Sequence, residues 1–299
     1  MSAGMKLRIA ENFRAVFYAP FYAIRELGLA EREGLEVEWL PSEAPGGTIE
    51  QVKSGEIDAQ WGGPMRVLKD HDSPAPSLVC FTEVVWRDPF YLVGRKAQAG
   101  FTLKDMAALR LGVVSEVPTP WYCLRADLED AGVVTATLRT VSNLTMPQQL
   151  EALAAGKLDV VQLFEPHASR ALADGHAILY AAASRGPTAY TSFISSRDTV
   201  SKRRDEFAAL THATQAMLDW VAKSGPAELA RVTAPFFPNV PRELFGAALE
   251  RYHRAGLWSR TTALSKAGFD RLAYGLHDGG FISHRATYAE CVQEFGSHA

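Results

Sequence analysis

Arg66 stands first among the residues whose type and spacing suit chemistry. It follows Gly62-Gly63-Pro64, a break that opens the end of the short apolar run Ile57–Trp61. Two glycines at a strand end let a backbone approach a ligand closely, and the helix that follows starts with free amides. A guanidinium placed there can clamp a carboxylate, sulfonate or phosphate through two parallel hydrogen bonds. The plainer reading pairs Arg66 with Asp70, four residues on along the same helix. Trp61 and Trp121 offer flat faces for a planar ring, or else simply fill core. Gly46-Gly47-Thr48 presents amides suited to an anion, or an ordinary helix cap at Thr48. Glu165, just before Pro166, would pair with a cationic or amino-bearing group, or sit on the surface.

Further candidates occupy the corresponding places elsewhere. Asn12, Arg14, Phe17 and Tyr18, with Phe13, form an aromatic-rich loop after the first strand. Ser115 and Thr119 bracket a proline-rich loop in the middle of the chain, and Tyr190 with Thr191 begins a later strand. His71 between Asp70 and Asp72 has the composition of an acid/base cluster but sits in a Pro/Ser-rich turn, which favours a solvated loop. His167 beside Glu165 has the makings of a proton-transfer pair, against a structural role at a helix start.

The elements that must position these residues alternate between short strands and helices. A strand at 5–11 leads to a helix with Pro20 in its first turn and Gly28 as its stop. Leu35–Leu40 alternates apolar and acidic residues and predicts a strand. A loop over Pro41–Gly47 follows, then a helix ending at Gly55, then the Ile57–Trp61 strand. The unit Ser54-Gly-Glu-Ile-Asp58 returns about a hundred residues later as Gly156-Lys-Leu-Asp159, again followed by an apolar strand and a proline. Two such units predict two related lobes, each carrying half of a site. Further strands are expected at 78–83, 89–94, 111–114, after Gly132, at 177–181 and 190–194, with mainly helix beyond Ser201. The fold class is α/β with mainly parallel sheets. Lobe one is expected to hold 1–93 and 193–299, and lobe two 94–192.

The totals exclude several classes. A chain of 299 residues, 47% hydrophobic and 22% charged, can bury one large core or two medium ones. A net charge of -3 leaves no footprint for nucleic acid or an anionic membrane. No apolar run approaches the roughly 20 residues needed to span a bilayer. Cys80, Cys123 and Cys291 lack metal or disulfide spacing, Cys80 reads as core, and the histidines form no ligand pattern, so neither metal nor cofactor is expected. As written, the start lacks a hydrophobic signal core, which predicts the cytoplasm, or the periplasm if a leader has been removed.

The first strand, the Phe-Tyr-Ala helix ending at Gly28, Gly34-Leu-Glu-Val37, the two Gly-x-x-Asp units and Glu165-Pro166 together resemble the SsuA/THI5-like (NMT1-like) group of the type II periplasmic-binding-protein fold. The resemblance runs through nearly the whole chain. It implies two lobes joined by two crossover strands that close on a small molecule, such as a sulfonate, nitrate or aminopyrimidine, and in most members delivery to an ABC permease. A minority of the group are cytoplasmic enzymes. The catalytic lysine and histidine positions of the hydroxymethylpyrimidine synthases fall here on Gly62 and Arg66, a ligand-facing histidine falls on Tyr18, and their cysteine-rich iron segment has no counterpart. The nucleophilic cysteine of a desulfinase falls in the Asn12-Phe13-Arg14 loop. The expected function is therefore a substrate-binding protein, monomer or homodimer, for a small planar anionic or zwitterionic ligand. The alternative is a cytoplasmic thiamine-pyrimidine synthase-like, decarboxylase or desulfinase-like enzyme on the same fold.

Overall fold

The computed structural model describes residues 4–42 and 44–295; Glu43 of the Pro41–Gly47 loop and the chain ends lie outside the described residues. Ten strands form two five-stranded sheets. The first has the order β2 (Leu35–Leu40), β1 (Met5–Ala10), β3 (Ala59–Gly62), β10 (Thr191–Ser196), β4 (Leu78–Val85). The second has the order β7 (Arg139–Val141), β6 (Arg110–Gly112), β8 (Val160–Leu163), β5 (Tyr91–Gly94), β9 (Ala177–Ala181). The two share one design. In each, three strands pair in parallel and the fourth, β10 or β5, runs antiparallel to both neighbours. That fourth strand is the one the chain reaches on crossing from the other sheet. Tyr91–Gly94 is paired on both sides within the second sheet, so the first crossing precedes Tyr91.

Helices cover the sheets. Those of the first half are α1 (Ala19–Glu26), α2 (Leu29–Arg32), α3 (Ile49–Ser54), α4 (Met65–Asp70), α5 (Thr119–Asp130), α6 (Met146–Ala154) and α7 (His167–Ala173). A long C-terminal run follows as α8 (Arg197–Lys202), α9 (Arg204–Thr233), α10 (Arg242–Arg254), α11 (Lys266–Asp278) and α12 (Tyr288–Cys291). The turn residues act as the sequence predicts: Gly28 and Gly55 adopt left-handed φ of 61° and 78° at helix ends, where a β-carbon would be strained. Gly225, at φ 77° before Pro226, kinks α9. Cys80 is wholly buried beside Cys291, and all three cysteines are free thiols. Among the described residues no helix is long and apolar enough to cross a membrane.

The repeated Gly-x-x-Asp unit proves to be a staple at the end of each sheet where β3 and β8 begin. Asp58 accepts the Arg8 backbone N–H (2.7 Å), the Arg8 guanidinium donates to the Gly55 carbonyl (3.1 Å), and the Asp58 N–H returns to the Arg8 carbonyl (3.0 Å). In the second sheet Arg110, Gly156 and Asp159 make the same three bonds at 3.0, 2.7 and 3.0 Å. The two arginines hold the carboxylates differently: Arg110 holds Asp159 well below the ordinary aspartate range, while Asp58 also pairs with Arg203 (2.6 Å). The repeat thus locks a helix-to-strand turn onto the neighbouring strand and leaves the far, carboxyl ends to build a site.

Candidate functional site

The carboxyl ends of β1 and β3 and the segment entering α5 enclose an interlobe cleft of about 30 Å³, space for little more than one or two waters. From the first sheet's side come Asn12, Phe13, Phe17, Tyr18, Gly63, Met65 and Arg66. Val117, Pro118 and Thr119 face them from the second, with Tyr190 at the crossover. Gly63 packs closely across the cleft: a β-carbon there would sit 3.5 Å from the Tyr190 carbonyl and 3.9 Å from the Thr119 hydroxyl.

Asn12 organises the floor. Its carbonyl oxygen accepts the Gly46 N–H (2.7 Å), and its amide donates to the Tyr18 hydroxyl (3.2 Å). Burial pushes that hydroxyl up to about 12, so at neutral pH it is an intact O–H. Phe17 and Tyr18 lie 4.3 Å apart, Phe13 meets Tyr18 edge-on at 5.4 Å, and Phe17 meets Tyr190 edge-on at 6.0 Å. The result is a wall of rings carrying a few hydroxyls.

Arg66 is half-buried, and burial draws its guanidinium below the ordinary arginine value. The ion pair with Asp70 does not form: Asp70 is held by Lys53 (2.8 Å) and by the amides of Ser77 and Leu78. Among the described residues Arg66 has no carboxylate and no hydrogen-bond acceptor. It rests against the backbone of Gly46, whose φ of +73° and missing β-carbon make the room. A cation removed from water without a counter-charge is unfavourable unless something supplies one.

Eight predicted residues therefore meet in the cleft: Asn12, Phe13, Phe17, Tyr18, Gly63, Arg66, Thr119 and Tyr190. The others serve elsewhere. Trp61 turns away, its ring stacked on Phe21 (5.0 Å, 13° between planes) beneath α1, because the strand's alternation sends it to the helix-covered face. Arg14 pairs with Glu11 (3.0 Å) and, with Trp61, lines a different cavity. Gly62 backs Asn12 and pairs with Ser192 in the sheet. Thr48 donates its hydroxyl to Gln60 (2.5 Å) rather than capping α3, and Gly47 closes a backbone turn onto Ala44 (3.0 Å). Ser115 is exposed and bonds the Leu144 carbonyl (3.0 Å). Trp121, one turn along α5, packs into the core of the second sheet.

Glu165 is the sharpest correction. It is 0% exposed, its carboxylate paired with Arg251 of α10 at 2.7 Å and accepting the Ser169 N–H at 2.9 Å, while its own N–H donates to the Tyr252 hydroxyl (2.9 Å). Both oxygens are committed inside the protein. His167, with burial drawing its imidazole below the usual value, packs edge-on against Phe164 and makes no bond to Glu165. Met65, Val117 and Pro118 line the cleft without having been singled out; apolar residues beside the Gly-Gly-Pro and Pro-Thr-Pro breaks were the available signal.

Residues 17–228 match the family model described as NMT1/THI5 like. The chain belongs to that family. The described residues follow the periplasmic-binding-protein fold. It superposes on the periplasmic aliphatic sulphonate binding protein SsuA from Escherichia coli with a TM-score of 0.78 at 15% identity, covering 96% of this chain and 97% of that one. The alkanesulfonate-binding SsuA from Xanthomonas axonopodis pv. citri, solved with MOPS, gives 0.73 at 16% identity over 98% and 99%. In sequence, YtlA of Bacillus subtilis (strain 168), which carries a provisional binding-protein name, is 20% identical over 97% of this chain and 88% of its own length.

Proposed function

We propose that this protein is a substrate-binding protein whose two sheets form the cores of two lobes that close on a small, planar, anionic or zwitterionic organic molecule, sulfonate or aminopyrimidine-like, for delivery to an ABC-type permease. One observation carries the reading: Arg66 stands half-buried in the cleft with no carboxylate among the described residues, framed by the rings of Phe13, Phe17, Tyr18 and Tyr190. A ligand anion would supply the missing counter-charge through a forked pair of hydrogen bonds. The Asn12 and Tyr18 polar atoms would orient its substituents, and the rings would stack on its plane.

The cleft as it stands is too small for such a ligand, so entry requires the lobes to part, and contacts made to both lobes would then favour closure. Sulfonate binding in the SsuA relatives supports an anion as the recognised group. The periplasm is the proposed compartment where the chain carries a leader.

Native mass spectrometry of the freshly purified protein, beside a denatured control, tests the reading. A retained small anion that leaves on denaturation supports it, and titration calorimetry with alkanesulfonates, carboxylates and aminopyrimidines then ranks the class. An adduct that survives denaturation, or turnover of the retained molecule, would replace it with the enzyme reading.

A further inference from the structure

A second cavity, of about 110 Å³, shares no lining residue with the interlobe cleft. Five rings line it: Phe21, Tyr22, Trp39, Trp61 and Phe236. An apolar cavity of roughly 150 Å³ accepts benzene, so this partly open space matches a single six-membered ring rather than a water or a fused system.

Its charges choose among ring-bearing ligands. An aromatic box beside a carboxylate is the arrangement that takes organic cations, and Glu11 is present. Here, however, both Glu11 oxygens are occupied, one by the Arg14 guanidinium (3.0 Å) and the other by the Tyr22 hydroxyl (2.5 Å). The faces of Tyr22 and Phe236 are already covered by the Arg14 and Arg25 guanidiniums, each 5.6 Å from the ring centre. Two arginines against one glutamate leave the lining positive by one charge. Arg25 has no carboxylate partner among the described residues. Trp61, 2% exposed, keeps a buried indole N–H with no acceptor among the described residues. The unpaired side-chain groups named here, the Arg25 guanidinium and the Trp61 N–H, are both donors.

We propose that this cavity is a second ligand site, which takes one aromatic ring bearing a single anionic group. The proposal is independent of what the cleft binds. Trp61, turned away from the cleft by the pleat of β3, becomes part of the new site's wall, and Arg25 holds the anion at its mouth.

Saturation-transfer NMR titrations of the full chain with benzoate and with uncharged benzamide test this in Arg66→Ala, which removes the anion clamp of the cleft, and in Arg66→Ala/Arg25→Gln. Arg25 is exposed and makes no side-chain hydrogen bond among the described residues, so its replacement leaves the fold intact. In Arg66→Ala benzoate should bind saturably and benzamide about tenfold more weakly, and benzoate should weaken about tenfold in Arg66→Ala/Arg25→Gln. Arg25→Lys should recover part of the loss. The proposal is overturned by the absence of saturable benzoate binding in Arg66→Ala, by equal binding of benzamide there, or by benzoate affinity left unchanged when Arg25→Gln is added.

Discussion

The guanidinium of Arg66 occupies the space that a side chain on Gly46 would fill. Gly46 adopts a φ of +73°, its N–H is tied to Asn12 (2.7 Å), and a β-carbon there would overlap the arginine. Gly46 thus supplies a flat backbone shelf that holds Arg66, which has no carboxylate partner among the described residues, in place. Gly46→Ala should cost about 1–2 kcal/mol in left-handed strain and push Arg66 out of its pose. Thermal unfolding should show a lowered midpoint, and calorimetry of the identified cleft ligand a weakened affinity. An unaltered affinity would mean that the shelf does not position Arg66.

Arg66→Ala separates binding from stability. With no acceptor to lose among the described residues, the substitution should leave the unfolding midpoint nearly where it was. Loss of a charge-assisted contact to an anionic ligand should reduce affinity by about 10- to 100-fold. Equal affinity in the variant would end the anion-clamp reading.

Glu165 predicts the reverse pattern. Glu165→Ala leaves the partly buried Arg251 without its carboxylate and the buried Ser169 N–H without its acceptor. Breaking a buried pair from one side costs about 3 kcal/mol. Urea titration should show that loss, with ligand affinity intact wherever the protein is folded. Weakened binding at full stability would return Glu165 to the site.

Glu83 sets a pH dependence. It lies buried in β4 with one oxygen accepting the Ser265 N–H (3.1 Å) and the other without a partner, and burial lifts its carboxyl to about 8. The unfolded chain releases this proton near pH 4.5, whereas the folded chain keeps it until about 8. Stability contributed at low pH is therefore lost as the pH rises from about 4.5 to 8, and levels off above that window. Glu83→Gln should match the wild type near pH 4 and exceed it by a few kcal/mol at pH 8. Parallel urea midpoints for the two proteins across the window would sink the assignment.

The sequence alone carried the architecture. Gly28 and Gly55 end helices because those positions need left-handed backbone, and the paired Gly-x-x-Asp units recur because each sheet needs the same turn stapled to its neighbour by Arg8 or Arg110. Positions at strand ends were legible too: Asn12, Gly63, Arg66 and Thr119 follow recognisable breaks, and the carboxyl ends of strands are where such folds bind. What the sequence could not decide was direction and partnership. Alternation says that Trp61 and its neighbours face opposite sides of β3 but not which side α1 covers, and the stacking on Phe21 decided it. Glu165 and Arg66 are both charged residues within two positions of a proline at a strand end, alike in local pattern. One meets Arg251, 86 residues away, and becomes structure; the other rests on the bare backbone of Gly46 and, among the described residues, meets no carboxylate. The free energy of a charge depends on what three-dimensional packing brings within a few ångströms of it, and no local spacing encodes that.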